Sequence, residues 1–273
     1  MILDEILSRT RADLPARRAA CPLSVLERAI RDLPPARSLR AALRQPGRVT
    51  AIAEFKRRSP SAGWLREGAQ IEELALAYVG SGASALSVLT DQPFFGGCLS
   101  DLVKARATVA VPILRKDFIV DEYQIAEARA AGADAVLLIV AALDAAALAT
   151  LHAASKRWGL EALVETHDAA EAARAVDLGA QIIGVNHRDL RTFTLDRELA
   201  IRLRAAIPPD RILVAESGIR GAADVRRMRD ADIDAVLVGE TLMRAADPGV
   251  ALADLLAPGP ARAEAEIEAQ AKD

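Results

Sequence analysis

Short apolar runs recur along the chain with polar or small residues between them. "GSGASALSVLT" (80–90), "AGADAVLLIV" (131–140), "LGAQIIGVN" (178–186) and "ADIDAVLVGE" (231–240) share one layout. Each is a small-residue or Asp turn followed by a brief run of apolar, often β-branched, side chains. Gly82, Gly132 and Gly179 stand where a helix would end and the chain turn into a strand. Between these runs lie "VTAIAEFK" (49–56), "VPILRK" (111–116), "LEALVE" (160–165) and "RILVAE" (211–216), which makes eight strand candidates. They end near residues 56, 90, 116, 140, 165, 186, 216 and 239, and each interval has room for one helix. "IEELALAYVGSG", "DEYQIAEARAAG" and "DAAEAARAVDLG" carry apolar positions at helical spacing in those intervals. Eight strand–helix units predict a (β/α)8 TIM barrel over residues 47–257. Periodicity alone leaves a doubly wound open sheet as an alternative.

Ahead of the first strand, residues 1–46 read as a helical extension: Ile2, Leu3, Ile6 and Leu7 suggest one helix and "LSVLERAIRDL" another. The extension is expected to pack on the barrel, either as a plain cap over one end or as a cap that touches the site. The polar stretch "PGPARAEAEIEAQAKD", within residues 258–273, predicts a disordered tail.

Polar residues at the ends of the apolar runs add chemistry to this outline. Those ends read Glu54 and Lys56, Thr90, Lys116, Glu165, Asn186 and Glu216, and the eighth run finishes with Gly239. A single terminal charge is usually the chain meeting water. Five charges at the carboxyl ends of strands, where barrels build their sites, point to a shared mouth. Glu54 and Lys56, two residues apart, would share one strand face and look into it. Two amines among three carboxylates can neutralise one another and still exchange protons with a ligand. After the seventh and eighth runs, "AESGI" and "VGETLMR" place Gly218 and Gly239 where many barrels bind phosphate. Phe94, Phe95, Phe118, Leu137 and Leu190 could wall an aromatic ligand, or simply pack. His187 is read as a loop histidine on the rim.

Composition narrows the partners. A 273-residue chain that is 52% hydrophobic can bury a large core, and a net charge of −3 disfavours nucleic acid and anionic membranes. No apolar run is long enough to span a membrane, and no basic, apolar leader is evident. The three histidines match no zinc pattern, and two lysines among the acids make a cation site costly. Two distant cysteines suit a reducing, cytoplasmic setting. Walker and GxGxxG fingerprints are absent.

Taken together, "IAEFKRRSPSAG", "LSVLTDQPFFGG", "PILRKDFIVDEYQI", "GADAVLLIV", "LVETH", "IGVNHRDL", "VAESGI" and "VLVGETLMR" resemble the indole-3-glycerol phosphate synthase family, in order, from about residue 50 to 245. The resemblance implies closure of the indole ring of 1-(2-carboxyphenylamino)-1-deoxyribulose 5-phosphate in tryptophan biosynthesis, with loss of CO2 and water, by a cytoplasmic monomer without a cofactor. By motif position it implies Lys116 as general acid and Glu165 as its acid/base partner, with Lys56 near the substrate carboxylate and phosphate. Glu54 and Asn186 would hold substrate hydroxyls and order the lysines. Ser217, Gly218, Gly239 and Glu240, with Ser59 nearby, would take the phosphate; Phe95, Phe118, Leu137 and Leu190 the anthranilate ring; Arg188 and Glu216 complete the substrate-binding set. Two departures stand out. His187 replaces the second Asn of the usual Asn-Asn-Arg, and Glu240 replaces a more common serine, so its carboxylate must turn away from phosphate. Outside this family, an isomerase of the same pathway, an aldolase using Lys116 as a Schiff base, and a non-catalytic phosphate-binding barrel are the competing readings.

Overall fold

In the computed structural model, which describes residues 2–189, 192 and 194–257, eight parallel strands close into a barrel. They are β1 (Thr50–Phe55), β2 (Ala85–Leu89), β3 (Ile113–Lys116), β4 (Ala135–Ile139), β5 (Glu161–Thr166), β6 (Ile182–Asn186), β7 (Ile212–Glu216) and β8 (Ala235–Val238). Strand β8 pairs back onto β1 in parallel, Thr50 opposite Ala235 through Ala53 opposite Val238, and this closure excludes the open sheet. Every strand end falls within one residue of the position read from the apolar runs. Gly82, Gly132 and Gly179 all have positive φ, the backbone turn that a Cβ would strain.

The period of two along each strand sorts side chains into two layers. Ala51, Ala53 and Phe55 of β1 pack outward against the helices, with Val88, Leu138, Val164, Ala215 and Val236 from other strands. Ile52, Ala85, Leu114, Ala135, Leu137, Leu163, Ile182, Ile212, Val214 and Leu237 fill the interior instead. The inward row of β3 therefore runs Leu114, Lys116; that of β5 runs Leu163, Glu165; that of β7 runs Ile212, Val214, Glu216. Apolar residues plug the lower barrel, and the last inward position of each row opens into the mouth.

The extension forms three helices, α1 (Ile2–Ala20), α2 (Leu23–Arg31) and α3 (Leu39–Leu43). It touches both ends of the barrel. Leu39 and Leu43 of α3 are fully buried in the interior column at the amino ends of the strands. There the backbone N–H of Arg40 and the hydroxyl of Ser38 donate to Glu161 at 2.8 and 2.9 Å. At the other end, Leu3, Ile6 and Leu7 of α1 join the same apolar column as Phe118, Leu137, Ile139 and Leu237. The cap thus contributes to the mouth rather than merely covering one end. Residues 258–273, read as a disordered tail, lie outside the described residues.

Candidate active site

A cleft open to solvent occupies the carboxyl ends of the strands. Glu54, Lys56, Ser59, Phe95, Lys116, Phe118, Leu137, Glu165, Asn186, Arg188, Glu216, Ser217, Gly218, Gly239 and Glu240 all line it. Leu190 lies outside the described residues. Ile2, Leu3 and Ile6 also line the cleft. Their apolar spacing was legible in the sequence, but not which end of the barrel they would meet.

The charges at the bottom of the cleft form a chain. Lys56 Nζ lies 2.8 Å from Glu54 Oε1. Lys116 Nζ lies 3.0 Å from Glu165 Oε2 and 3.4 Å from Glu216 Oε2. Burial works against the Lys116 ammonium, but Glu165, Glu216 and Glu54 outweigh it and hold the group above the usual lysine range. Burial likewise opposes the Glu165 carboxylate, yet Lys116 and His167 keep it well below the usual carboxylate range. Glu216 goes the other way: burial, with help from the neighbouring Glu165 and Glu54, pushes it up to about 8 against the pull of Lys116. Apart from its ion pair to Lys116, neither Glu216 oxygen meets a hydrogen-bond donor among the described residues. Burial beside Glu165 favours its protonated form. The site therefore holds a charged amine, an ionised acid and a protonatable acid within one buried cluster.

Glycines make room for these carboxylates. A Cβ at Gly184 on β6 would stand 2.1 Å from Glu216 Oε1, and one at Gly239 would stand 2.3 Å from Glu54 Oε1. Gly239, expected at the phosphate, clears space for the Glu54 side chain in the structure. Ser217 and Gly218 after β7 both have positive φ, at 67° and 74°. Ser217 is held there by its hydroxyl, which donates to Asn186 Oδ1 at 2.8 Å. The backbone N–H of Arg188 donates to the same amide oxygen at 3.0 Å. Asn186 Nδ2 approaches Glu165 Oε1 at 3.3 Å, so one amide ties the loops after β6 and β7 to the acid of β5.

The rim balances its own charges. Glu240 opens the short helix Glu240–Arg244, and its Oε1 accepts from Arg244 Nε at 3.0 Å. Its Oε2 lies 3.9 Å from the Arg188 guanidinium. The carboxylate is thus turned to two arginines, as a phosphate-facing backbone amide would require. The Phe95 and Phe118 rings sit with centroids 5.9 Å apart, tilted, with Leu137 in the same apolar cluster as Phe118. Ser59 is buried and its hydroxyl accepts from the Ala62 N–H at 3.2 Å.

Two expectations need correction. Thr90 ends the β2 run but does not line the cleft. Its hydroxyl donates to Asp117 Oδ2 at 2.6 Å and accepts from Arg115 Nε at 3.0 Å, which turns it sideways into a buried network. His187 is not a rim residue: it is 2% exposed, and its Nδ1 lies 3.0 Å from the Ser217 carbonyl oxygen. Asn186 faces the mouth, so continued alternation turns His187 to the other side of the chain, away from the cleft.

Sequence reasoning also missed two groups. Arg115, on the outward face of β3, is 1% exposed and reaches Asp117 at 2.7 Å and Glu127 at 2.8 Å. Arg17 of α1 pairs with the same Glu127, so the extension grips the strand that carries Lys116. "LRKD" signals this weakly, since Arg and Lys on successive positions of one strand must face opposite layers. His167 is the other, two residues after Glu165 and hence on the same side of β5.

The model of the family described as indole-3-glycerol phosphate synthase matches residues 3–255. The chain belongs to the indole-3-glycerol phosphate synthase family. Indole-3-glycerol phosphate synthase 2 of Streptomyces coelicolor is 52% identical over 255 residues, 93% of this chain and 98% of its own length. Indole-3-glycerol phosphate synthases of Mycobacterium avium and Mycobacterium tuberculosis are each 48% identical over 258 residues, 94% of both chains. The family's architecture also appears in more distant barrels. Thiamine phosphate pyrophosphorylase from Pyrococcus furiosus superposes with TM-score 0.58 at 17% identity, over 80% of this chain and 96% of its own. The 3-hexulose-6-phosphate synthase of Salmonella typhimurium gives 0.61 at 15% identity, over 76% and 96%. At such identities only the fold is shared.

Proposed function

We propose that the cluster of Lys116, Glu165 and Glu216 carries the proton transfers of the family's reaction in this cleft. The chain is a carboxy-lyase of tryptophan biosynthesis that makes indole-3-glycerol phosphate from a phosphorylated small molecule. The observation that supports the residue assignments is the Lys116 ammonium held between two buried acids, beneath the apolar wall of Phe95, Phe118 and Leu137.

The substrate phosphate lies against the backbone amides at Ser217–Gly218 and Gly239–Glu240, with Ser59 beside them. The anthranilate ring lies against the apolar wall of Phe95, Phe118 and Leu137. In closure, the ring carbon bearing the carboxylate bonds to the carbonyl carbon, and the carbonyl oxygen takes a proton from Lys116. A lysine held in its charged form is loaded for that first step. Carbon dioxide then leaves, and its bonding pair restores the aromatic ring; the apolar surroundings suit loss of a charged carboxylate as a neutral gas. Glu165 removes the proton from the neighbouring carbon, and the departing hydroxyl takes a proton from Glu216, which burial holds in its protonated form, and leaves as water. Lys56, Glu54 and Asn186 hold the substrate carboxylate and hydroxyls and keep the amines in register, and Arg188 balances the phosphate side.

The same reading has the enzyme act as a cytoplasmic monomer. Its two cysteines are free, and no helix among the described residues is long and apolar enough to cross a membrane. The decisive measurement is a single-turnover quench of Glu165→Gln. This change keeps volume and hydrogen-bonding reach while deleting the acid/base function. CO2 release should outrun indole formation, with a decarboxylated, hydrated intermediate accumulating. Equal slowing of both products, with no intermediate, would remove Glu165 from the dehydration.

A further inference from the structure

His167 stands at the end of β5 with carboxylates on both sides of its ring. Nδ1 lies 3.1 Å from Glu171 Oε2, and Nε2 lies 3.2 Å from Glu165 Oε1. The same Glu171 oxygen accepts the backbone N–H of His167 at 2.8 Å, so it acts as an acceptor and Nδ1 must carry a proton. Glu165 Oε1 is likewise an acceptor, approached by Asn186 Nδ2. A carboxylate 3.2 Å from Nε2 favours a proton, and so a positive charge, on this nitrogen as well. The two flanking carboxylates favour the imidazolium. Its charge also holds in energetic terms: burial opposes it, but Glu165 and Glu171 together raise the ring to about 10. Glu171 sits in the first turn of the helix Ala169–Asp177, whose N-cap Asp168 accepts the Glu171 N–H at 2.8 Å. The anchor is therefore fixed to the barrel wall rather than to a loop.

The two oxygens of Glu165 have different company. Oε2 faces Lys116, while Oε1 faces His167 and Asn186. Resting on the assignment of Glu165 above, we propose that His167 is a positioning residue that, anchored by Glu171, pins Oε1 of Glu165 and leaves Oε2, on the Lys116 side, as the oxygen that exchanges protons with substrate. The imidazolium does not reach the substrate; it acts through Glu165. Nε2 lies within ion-pair distance but off the line of a hydrogen bond, so its hold is mainly electrostatic and survives small rotations of the ring. A carboxylate free to present either oxygen would spend part of its time misdirected, and misplacement of a reacting group can cost on the order of 100-fold in rate.

The test compares His167→Asn, Glu171→Gln and Glu165→Gln in the full-length enzyme. His167→Asn should lower kcat by at least about tenfold, with KM nearly unchanged, since no substrate contact is lost. Removing the nearby cation should also raise the pKa of Glu165, so the acidic limb of the kcat profile should move to higher pH. The groups facing the ring are Glu165 and Glu171, with Lys116 beyond Glu165 and Asn186 alongside, so the move reports on Glu165. Glu171→Gln, which keeps the helix and the side-chain volume, should shift kcat and the acidic limb in the same direction by less. His167→Asn added to Glu165→Gln should cost nothing further. An unmoved acidic limb with kcat within about threefold of the parent would overturn the inference, as would a loss that appears in full on the Glu165→Gln background. If Glu165→Gln itself turned over at the parent rate, the fault would lie with the assignment of Glu165, not with His167.

Discussion

The two ends of the barrel use the same residue types to opposite effect. At the amino ends of the strands, acids are matched mainly to backbone N–H groups, joined by the Ser38 hydroxyl and, at Asp134, by the Arg106 guanidinium. Asp134 accepts the N–H groups of Arg37 and Ile113, both at 2.8 Å, Glu161 accepts from Ser38 and Arg40, and Asp234 accepts the N–H of Leu213 at 2.8 Å. Leu39 and Leu43 seal the interior above them. At the mouth, acids are matched to amines and to one another, and the two oxygens of Glu216 have no hydrogen-bond donor among the described residues. Backbone donors cannot move or lose their protons, so they make a structure; amines and paired acids can, so they make a reaction. Mutations at the two ends should separate accordingly.

The largest effect is expected at Lys116. Lys116→Met keeps the length of the side chain and removes the proton, and kcat should fall by about 100-fold or more. The protein should still fold, because Glu165 keeps His167 and Asn186 as partners. Turnover near the parent rate would move the acid elsewhere in the cleft.

The counterpart at the other end is Leu39→Ala. Leu39 is fully buried in the interior column, and its loss should cost about 2–5 kcal/mol of stability by denaturant unfolding. The kcat of the folded fraction should stay close to the parent's. A large loss of kcat with little loss of stability would show that the two ends are not separable.

The smallest effect concerns pH. Glu216 is raised in the folded protein to about 8, so its folded state holds the proton more tightly than the unfolded chain does. That contribution is fully present below the ordinary Glu value and is lost as pH rises through about 8. His167, raised to about 10, adds a similar decline at higher pH that both proteins share. Glu216→Gln has no such proton to lose, so between pH 5 and 9 its melting temperature should gain on the parent's, by roughly 2–4 °C for each kcal/mol. Parallel melting curves across that range would mean that Glu216 stays ionised beside Lys116.

The barrel was legible because its elements are local. Period-two rows with a glycine before and a charge after mark each strand, and one helix fits each interval, so the ends at Phe55, Lys116, Asn186 and Glu216 could be read from the chain. The mouth was legible for a related reason: a parallel barrel gathers the last inward residue of every strand at one end, whatever the sequence separation. The residues that escaped depend on something else. Thr90 looks like a mouth residue and His187 like a rim residue until Asp117 and the Ser217 carbonyl meet them. Nothing in the chain around Arg115 shows what would pair it until Glu127 and helix α1 enclose it.

By itself, then, the order of apolar and polar residues determined the eight units and the side chains at the carboxyl end of each strand, since strand alternation is a property of the backbone; closure of the sheet rests on the pairing of β8 with β1. Only the tertiary structure decided who pairs with whom. It put α1 over the mouth and α3 under the barrel, gave Lys116 two acids rather than one, and set His167 between Glu165 and Glu171. Those choices depend on distances of 3 to 4 Å between residues far apart in the chain, where burial strengthens every charge and a neighbour decides whether a proton stays or leaves.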